Sequence, residues 1–292
     1  MTGFEEETSK KSPTLLVMAG GTGGHIFPGI AVAEMLQAKG WTIHWLGTEK
    51  RMEAKIVPEH GFDISFINIA GVRNKSLIER IKTPFKLLQS VIQSISILRK
   101  VKPDVVLGMG GYASAPGGFA AWLLRIPLVL HEQNAVAGMT NRYLAKIATI
   151  ILSAFPNAFA KNVECKVVGN PLRKEITDLS PEVPESPTSS KKVLVVGGSL
   201  GAKVLNDTVP QALKQIHLQN IDVWHQTGRD NQASVLAHYQ QFGMAEDKVK
   251  VTEFIENMAA AYQWADVVIC RAGALTVSEL AMAAKPAIFV PL

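Results

Sequence analysis

One short pattern occurs twice in this chain and constrains its fold more than any other feature. Gly20-Gly21-Thr22-Gly23-Gly24 follows the apolar run Leu15-Leu16-Val17-Met18, and Gly197-Gly198-Ser199-Leu200-Gly201 follows Val193-Leu194-Val195-Val196. Both read Gly-Gly-(Thr/Ser)-x-Gly. Apolar residues at helical spacing come next: Ile30, Ala33, Met35 and Leu36 after the first copy, Val204, Leu205, Ala212 and Leu213 after the second. Each copy therefore reads as a strand, a glycine turn and a helix. The copies lie 177 residues apart, about one domain length, which predicts two similar α/β halves rather than a solenoid.

Glycines let the backbone turn tightly and leave its N–H groups uncovered at the positive end of a helix dipole, a setting for a phosphate or a crowded polar ligand. His25 closes the first copy and is the one ionisable side chain there with an ordinary pKa near neutrality. A ligand-free turn explains a lone glycine loop equally well; the second copy favours a ligand.

Further β-type runs alternate with helical segments. In the first half these are 41–47, 62–69, 104–107, 127–130 and 149–152; in the second, 221–225, 249–254, 266–270 and 286–292. Such alternation predicts parallel sheets, with ligands gathered outside the carboxyl ends of the strands. Gly20–His25, a further glycine turn at Gly108–Ser114, and the polar run His131-Glu132-Gln133-Asn134 all fall at such ends. They predict one mouth in the first half. The first half is expected to close near Val168-Gly169-Asn170-Pro171, and the Pro/Ser-rich stretch 180–190 to be a flexible loop. The expected division is a disordered tail over 1–13, a first domain over 14–168 and a second over 169–292.

Composition supports large buried sheets: 47% of the 292 residues are apolar and 19% charged. The first eleven residues carry three glutamates and no apolar core, unlike a signal peptide, and no apolar run reaches membrane-spanning length. Cys165 and Cys270 lack metal-ligand spacing and border β-type runs, so both are expected as buried reduced thiols in the cytosol.

The net charge of +5 is unevenly spread: residues 72–102 hold eight Lys/Arg against the single acid Glu79. Arg73, Lys75, Arg80 and Lys82 are interleaved with Leu77, Ile78, Ile81 and Phe85, a basic and greasy segment suited to lying on an anionic bilayer. Nucleic acid would be better served by aromatic than by aliphatic neighbours. Behind Thr83 as cap and Pro84 in the first turn, Leu88, Val91, Ile92, Ile95 and Leu98 predict the core face of a helix.

The last helix is expected to open at Gly273, with Thr276 and Glu279 on one face of its first turns. Its hydroxyl and free N–H groups can hold a phosphate, and a carboxylate one turn on can accept both hydroxyls of a ribose. The plain alternative for Glu279 is a surface acid favoured by the helix dipole. Two α/β halves with a phosphate-friendly turn in each suit a nucleotide-sugar transferase. No acidic pair or His/Cys cluster has ligand spacing, so neither a metal nor a cofactor is expected. The leaving diphosphate would be stabilised by main-chain N–H groups, helix ends and an arginine such as Arg173.

Two rivals fare worse. Gly21-Thr22-Gly23-Gly24-His25-Ile26 fails the dinucleotide fingerprint at its last position. Ser199 matches a nucleophile elbow, but neither His225 nor His238 sits where a late loop would deliver it to a triad.

Taken together, Gly20 to Gly29, Gly108-Met-Gly-Gly-Tyr112, His131-Glu-Gln-Asn134, Val168-Gly-Asn-Pro171, Gly197-Gly-Ser199 and Ala272 to Glu279 resemble the MurG family of bacterial transferases. The resemblance runs from about Thr14 to Leu292. It implies a GT-B fold, two Rossmann-like domains facing across a cleft, and inverting, metal-independent transfer of GlcNAc from UDP-GlcNAc. The implied acceptor is the 4-hydroxyl of MurNAc in undecaprenyl-pyrophosphoryl-MurNAc-pentapeptide. By the same resemblance Thr22, Gly23, Gly24 and Asn134 line the donor sugar and acceptor side. Arg173, Ser199, Ile255, Ala274, Leu275, Thr276, Val277, Ser278 and Glu279 hold UDP. His25, at the mouth, is the candidate general base. The basic-apolar segment docks on the cytoplasmic face of the inner membrane as a peripheral contact, with no nucleic acid involved. The family pattern continues beyond the strand ending at Leu292 with a glutamine-rich loop and further helices, so a C-terminally incomplete second domain is expected. Two alternatives stay beside the transferase: a protein that binds nucleotide sugar or lipid without turnover, and a UDP-GlcNAc epimerase on the same fold.

Overall fold

The computed structural model describes residues 11–69, 77–179, 190–198, 201–215 and 220–291, with the backbone alone for 77–82. The chain divides into two compact units, residues 1–171 and 172–292.

The first unit contains β1 (Thr14–Ala19), α1 (Gly23–Gln37), β2 (Thr42–Gly47), α2 (Glu53–Glu59), β3 (Asp63–Phe66), α3 (Leu77–Val101), β4 (Val105–Gly110), α4 (Ser114–Leu123), β5 (Leu128–Glu132), α5 (Met139–Leu144), β6 (Ile150–Ser153) and β7 (Lys166–Val167). Its seven strands lie in the order β3-β2-β1-β4-β5-β6-β7, and every pair is parallel. All six residues of β1 are buried, because helices cover both sheet faces. Leu15, Val17 and Ala19 face a cluster with Ile26, Ile30 and Trp45; Leu16 and Met18 face Leu98, Ala120, Leu130 and Leu144 on the other side. This is the period-2 alternation of a strand buried twice over.

The second unit contains α6 (Lys174–Thr177), β8 (Lys191–Val196), α7 (Lys203–Gln215), β9 (Ile221–Gln226), α8 (Gln232–Gln241), β10 (Val249–Thr252), α9 (Met258–Trp264), β11 (Val267–Arg271), α10 (Ala274–Met282) and β12 (Ala287–Val290). Its sheet is again all parallel, in the order β10-β9-β8-β11-β12. Strand order reverses beside β1 and β4 in one unit and beside β8 and β11 in the other, and the crevice at such a reversal is where open α/β sheets take ligands. Both glycine repeats leave the sheet at these points.

The structure corrects several local expectations. Strand β3 is shorter than the run 62–69, and β4 extends through Gly110, so the second glycine turn starts at Gly111. Helix α3 does not start at Thr83-Pro84 but runs continuously from Leu77, with Pro84 inside it. Proline withholds only its own N–H, the partner of the Arg80 carbonyl, and the turns on either side carry the helix through. Val91 and Leu98 reach the core, as do Ser90 and Ser94, whereas Leu88 and Ile92 are 59% and 58% exposed. The buried serines are affordable because each hydroxyl donates to a carbonyl one turn back, Ser90 to Lys86 and Ser94 to Ser90, both at 2.8 Å. Cys270 is a buried free thiol as expected, but Cys165 is only half-buried.

Candidate functional site

In the first unit the three expected strand ends do converge. The first glycine turn comprises Gly20, Gly21 and Thr22; Gly23, Gly24 and His25 already belong to α1, with Thr22 at its N-cap. The carbonyl of Thr22 accepts from the amides of His25 and Ile26 at 3.1 and 3.2 Å. Gly21 N–H is also committed, donating to Glu53 Oε2 at 3.0 Å. Glu53 Oε1 accepts from Thr48 N and Thr48 Oγ1 at 3.1 and 2.7 Å, and the whole residue is 1% exposed. A buried carboxylate thus ties the turn after β1 to the end of β2. Glu53 belongs to no motif, and nothing in the sequence singled it out.

The turn after β4 comes so close that two glycines are needed there. Gly110 has φ +104°, and a Cβ on it would lie 3.0 Å from the His25 ring. Gly111 has φ +90°, and a Cβ there would run into the backbone of Gly20. His25 is half-buried between these turns, and its Nδ1 lies 2.9 Å from Gln133 Oε1 after β5. Within the polar run, His131 and Glu132 are the last strand residues and are buried with Gln133. Burial holds the pKa of His131 below its ordinary 6.5, against the opposing pull of the Gly169 carbonyl and Glu132. Glu132 binds four N–H groups: Asn134 N (3.0 Å), Asn134 Nδ2 (2.9 Å), Gly138 N (3.0 Å) and Asn141 Nδ2 (2.9 Å). It folds the loop beyond β5 and presents Asn134 on the exposed side.

In the second unit, Gln226 at the end of β9 braces the other glycine repeat. Gly198 N–H donates to Gln226 Oε1 at 3.2 Å, and Gln226 Nε2 donates to Gly198 O at 2.8 Å and to Glu253 O at 3.2 Å. The second glycine of each repeat has positive φ, +90° at Gly21 and +83° at Gly198, and the two differ in what supports them, a carboxylate at Gly21 and a neutral amide at Gly198. Ser199 lies outside the described residues.

Glu279 is not a surface acid. It is 5% exposed, and its Oε1 accepts from Arg173 Nη2 at 3.1 Å while its Oε2 accepts from the Tyr262 hydroxyl at 2.9 Å. Burial and the neighbouring carboxylate raise the Tyr262 pKa, so the phenol stays a donor. The amides of Ala274, Leu275 and Thr276 begin α10, where no intrahelical acceptor exists for them, and Val277 N–H makes the first helical bond, to Gly273 O at 2.9 Å. Val277 and Ser278 continue the same turn, the Ser278 hydroxyl donating to Ala274 O at 3.1 Å. Ile255 is buried, its side chain in the core beneath α9 and α10.

A family model described as the glycosyltransferase family 28 N-terminal domain matches residues 15–153, and the corresponding C-terminal domain model matches residues 192–292. The chain belongs to glycosyltransferase family 28. A relative from Colwellia psychrerythraea is 62% identical over 284 residues, which is 96% of this chain and 73% of the relative. It is named UDP-N-acetylglucosamine--N-acetylmuramyl-(pentapeptide) pyrophosphoryl-undecaprenol N-acetylglucosamine transferase. The crystal structure of Acinetobacter baumannii MurG is 41% identical with a TM-score of 0.75, over 96% of this chain and 79% of that one. A UDP-N-acetylglucosamine 2-epimerase structure aligns with a TM-score of 0.64 at 13% identity, over 96% of this chain and 79% of that one, a likeness of fold alone. The epimerase alternative gains nothing from it, and family 28 membership makes this chain a glycosyltransferase with two Rossmann-like units.

Of the expected membrane residues, Arg73 and Lys75 lie outside the described residues. Leu77, Ile78, Arg80, Ile81 and Lys82 lie in the first turns of α3, where the backbone alone is described. Phe85 is 74% exposed and, with Leu88 and Ile92, forms an apolar stripe at i, i+3 and i+7 on one face of that helix. Beside it, α4 exposes Phe119, Trp122 and Leu123.

Proposed function

We propose that this chain transfers N-acetylglucosamine from UDP-GlcNAc to the 4-hydroxyl of MurNAc in undecaprenyl-pyrophosphoryl-MurNAc-pentapeptide, with inversion at the transferred anomeric carbon. The observation that carries the proposal is the 62% identity, over 96% of the chain, to a relative named for that reaction. The residues supply a means for it. His25 takes the proton of the acceptor hydroxyl, the oxygen forms its bond to the sugar's C1, and the C1–O bond to the diphosphate breaks, UDP leaving with the electron pair. Thr22, Gly23, Gly24 and Asn134 line the acceptor side and the donor sugar.

The uridine diphosphate belongs to the second unit. The free amides at the start of α10, together with Ser199, receive the phosphates, where a helix N-terminus favours negative charge. Arg173 and Glu279 hold each other beside that helix start, and Glu279 retains lone pairs for the ribose hydroxyls. The main chain at Ile255 meets the uracil edge.

The acceptor's polyprenol tail calls for an enzyme at a bilayer surface. No helix among the described residues is long and apolar enough to cross a membrane. Attachment to the cytoplasmic face instead uses Arg73, Lys75, Arg80 and Lys82 with the apolar residues Leu77, Ile78, Ile81 and Phe85, to which the exposed Leu88 and Ile92 add. Incubating the chain with labelled UDP-GlcNAc, with and without the lipid acceptor, tests the reading. Acceptor-dependent UDP release with a β-1,4-linked disaccharide product is expected. Release independent of acceptor, or no release at all, would refute it.

A further inference from the structure

A chain of hydrogen bonds in the first unit settles where the protons sit around His25. It starts at two carbonyl oxygens, which can only accept. His131 Nε2 lies 2.9 Å from the Gly169 carbonyl, so that nitrogen carries a proton. Burial keeps the imidazole neutral, which leaves His131 Nδ1 as an acceptor. Gln133 Nε2 lies 3.0 Å from the His131 carbonyl and 3.1 Å from His131 Nδ1. Both neighbours need a donor, so the amide nitrogen faces them with its two hydrogens, and the Met109 sulfur lies 3.8 Å from the same nitrogen. The reversed amide would set its oxygen against a carbonyl oxygen. Gln133 Oε1 must then face His25 Nδ1, 2.9 Å away, and because an amide oxygen only accepts, Nδ1 carries the proton. Asn170 Nδ2 donates to the Gln133 carbonyl at 3.2 Å and steadies the residue from the other side.

We infer that Gln133, itself oriented by His131, is the positioning residue that holds His25 in its Nδ1–H tautomer and leaves the Nε2 lone pair free to take a proton. A free imidazole in water favours the opposite tautomer, with the proton on Nε2, which would leave no base on that side of the ring. The inference deepens the reading of His25 as general base and rests on it for its catalytic meaning, although the tautomer itself does not. Of the carboxylates on the neighbouring strand end and turn, Glu132 is bonded to Asn134, Gly138 and Asn141, and Glu53 to Gly21 and Thr48.

The decisive measurement is the tautomer of His25 in the full chain labelled with 15N-histidine, read at pH 8 from long-range 1H–15N correlations and assigned by the signal missing in His25→Gln. The wild type is expected to show Nδ1–H, and Gln133→Met, which keeps length and loses the amide, to show mainly Nε2–H. A wild-type His25 with its proton on Nε2, or averaged signals indifferent to Gln133→Met, overturns the inference without any need for the variant to be active. In turnover, Gln133→Met is expected to lose at least ~10-fold in kcat with donor KM little changed. Gln133→Glu places a carboxylate against the ring and should move the acidic limb of kcat/KM upward by about one pH unit. If His25→Ala abolishes turnover while Gln133→Glu leaves that limb in place, the positioning role fails and the base survives. If His25→Ala turns over normally, the base reading fails and the tautomer stands only as a structural fact.

Discussion

Arg173 and Glu279 are 106 positions apart in sequence and meet at 3.1 Å, guanidinium Nη2 to carboxylate Oε1, with both side chains largely withdrawn from solvent. The pair ties the first residues of the second unit to the start of α10, the helix end proposed to receive the diphosphate.

Removing one partner leaves the other charge buried and uncompensated, which costs about 3–5 kcal/mol, more than the intact pair contributes against an apolar replacement. Arg173→Ala and Glu279→Gln are therefore each expected to lower unfolding free energy by roughly 3 kcal/mol and to raise the donor KM. Urea unfolding checks the first effect; a change below about 1 kcal/mol in both variants would contradict the burial argument.

His25→Ala is expected to lower kcat by at least ~100-fold while nearly preserving donor affinity, since a positioned base typically contributes about 10²–10⁴-fold. Steady-state kinetics beside calorimetric titration with UDP-GlcNAc separate the two quantities. Near-normal turnover would remove His25 from the reaction.

Glu53 accepts three hydrogen bonds from Gly21 and Thr48. Glu53→Ala leaves the buried Thr48 donors and the part-buried Gly21 N–H without their acceptor, at roughly 1–3 kcal/mol for each that finds no water. The expected result is a loss of about 2–4 kcal/mol in unfolding free energy and faster hydrogen exchange at Gly21 and Thr48. Unaltered exchange at Gly21 would show that the turn holds without the carboxylate.

The stripe of Phe85, Leu88 and Ile92 is expected to carry bilayer contact. The triple substitution to serine should weaken binding to vesicles with about one-third anionic lipid by at least ~10-fold, because each buried apolar side chain contributes about 1.5–3 kcal/mol. Thermal stability should be nearly unchanged, since the residues are exposed. Sedimentation with vesicles reads the outcome, and equal binding by the variant would place the contact elsewhere.

His225 is fully buried in the second unit, with Nδ1 2.9 Å from the Tyr239 hydroxyl, and burial lowers its pKa from 6.5 to about 4. The unfolded chain therefore takes up a proton at higher pH than the folded one. Stability is full above about pH 6.5 and falls as pH drops toward about 4, by about 3 kcal/mol at roughly 1.4 kcal/mol per tenfold. His131, also lowered by burial, contributes with the same sign. Unfolding free energy measured across this range should lose most of its slope in His225→Phe, and an identical slope in the variant would assign the acid sensitivity to other groups.

The sequence by itself determined the architecture. Strands such as Leu15 to Met18 and Val193 to Val196 are apolar at every position because both sheet faces are covered, and continuous apolar runs separated by helical periodicity leave little besides parallel α/β units. It also marked the strand ends that matter, since glycine at a turn and polar residues directly after a buried strand conflict with packing unless the backbone geometry or a ligand requires them. Tertiary structure decided what those residues bond to. Glu53, Gln226 and Tyr262 have no local signature, because their partners Gly21, Gly198 and Glu279 come from other strands and helices. Glu279 is indistinguishable in sequence from a dipole-favoured surface acid until Arg173 and Tyr262 close over it. Leu88 and Ile92 share the periodicity of Val91 and Leu98, yet only the second pair is buried, because a periodic stripe does not state which side of a helix its neighbours will cover. A hydrogen bond depends on distances of about 3 Å set by the packing of whole elements, and adjacency in sequence carries no information about it.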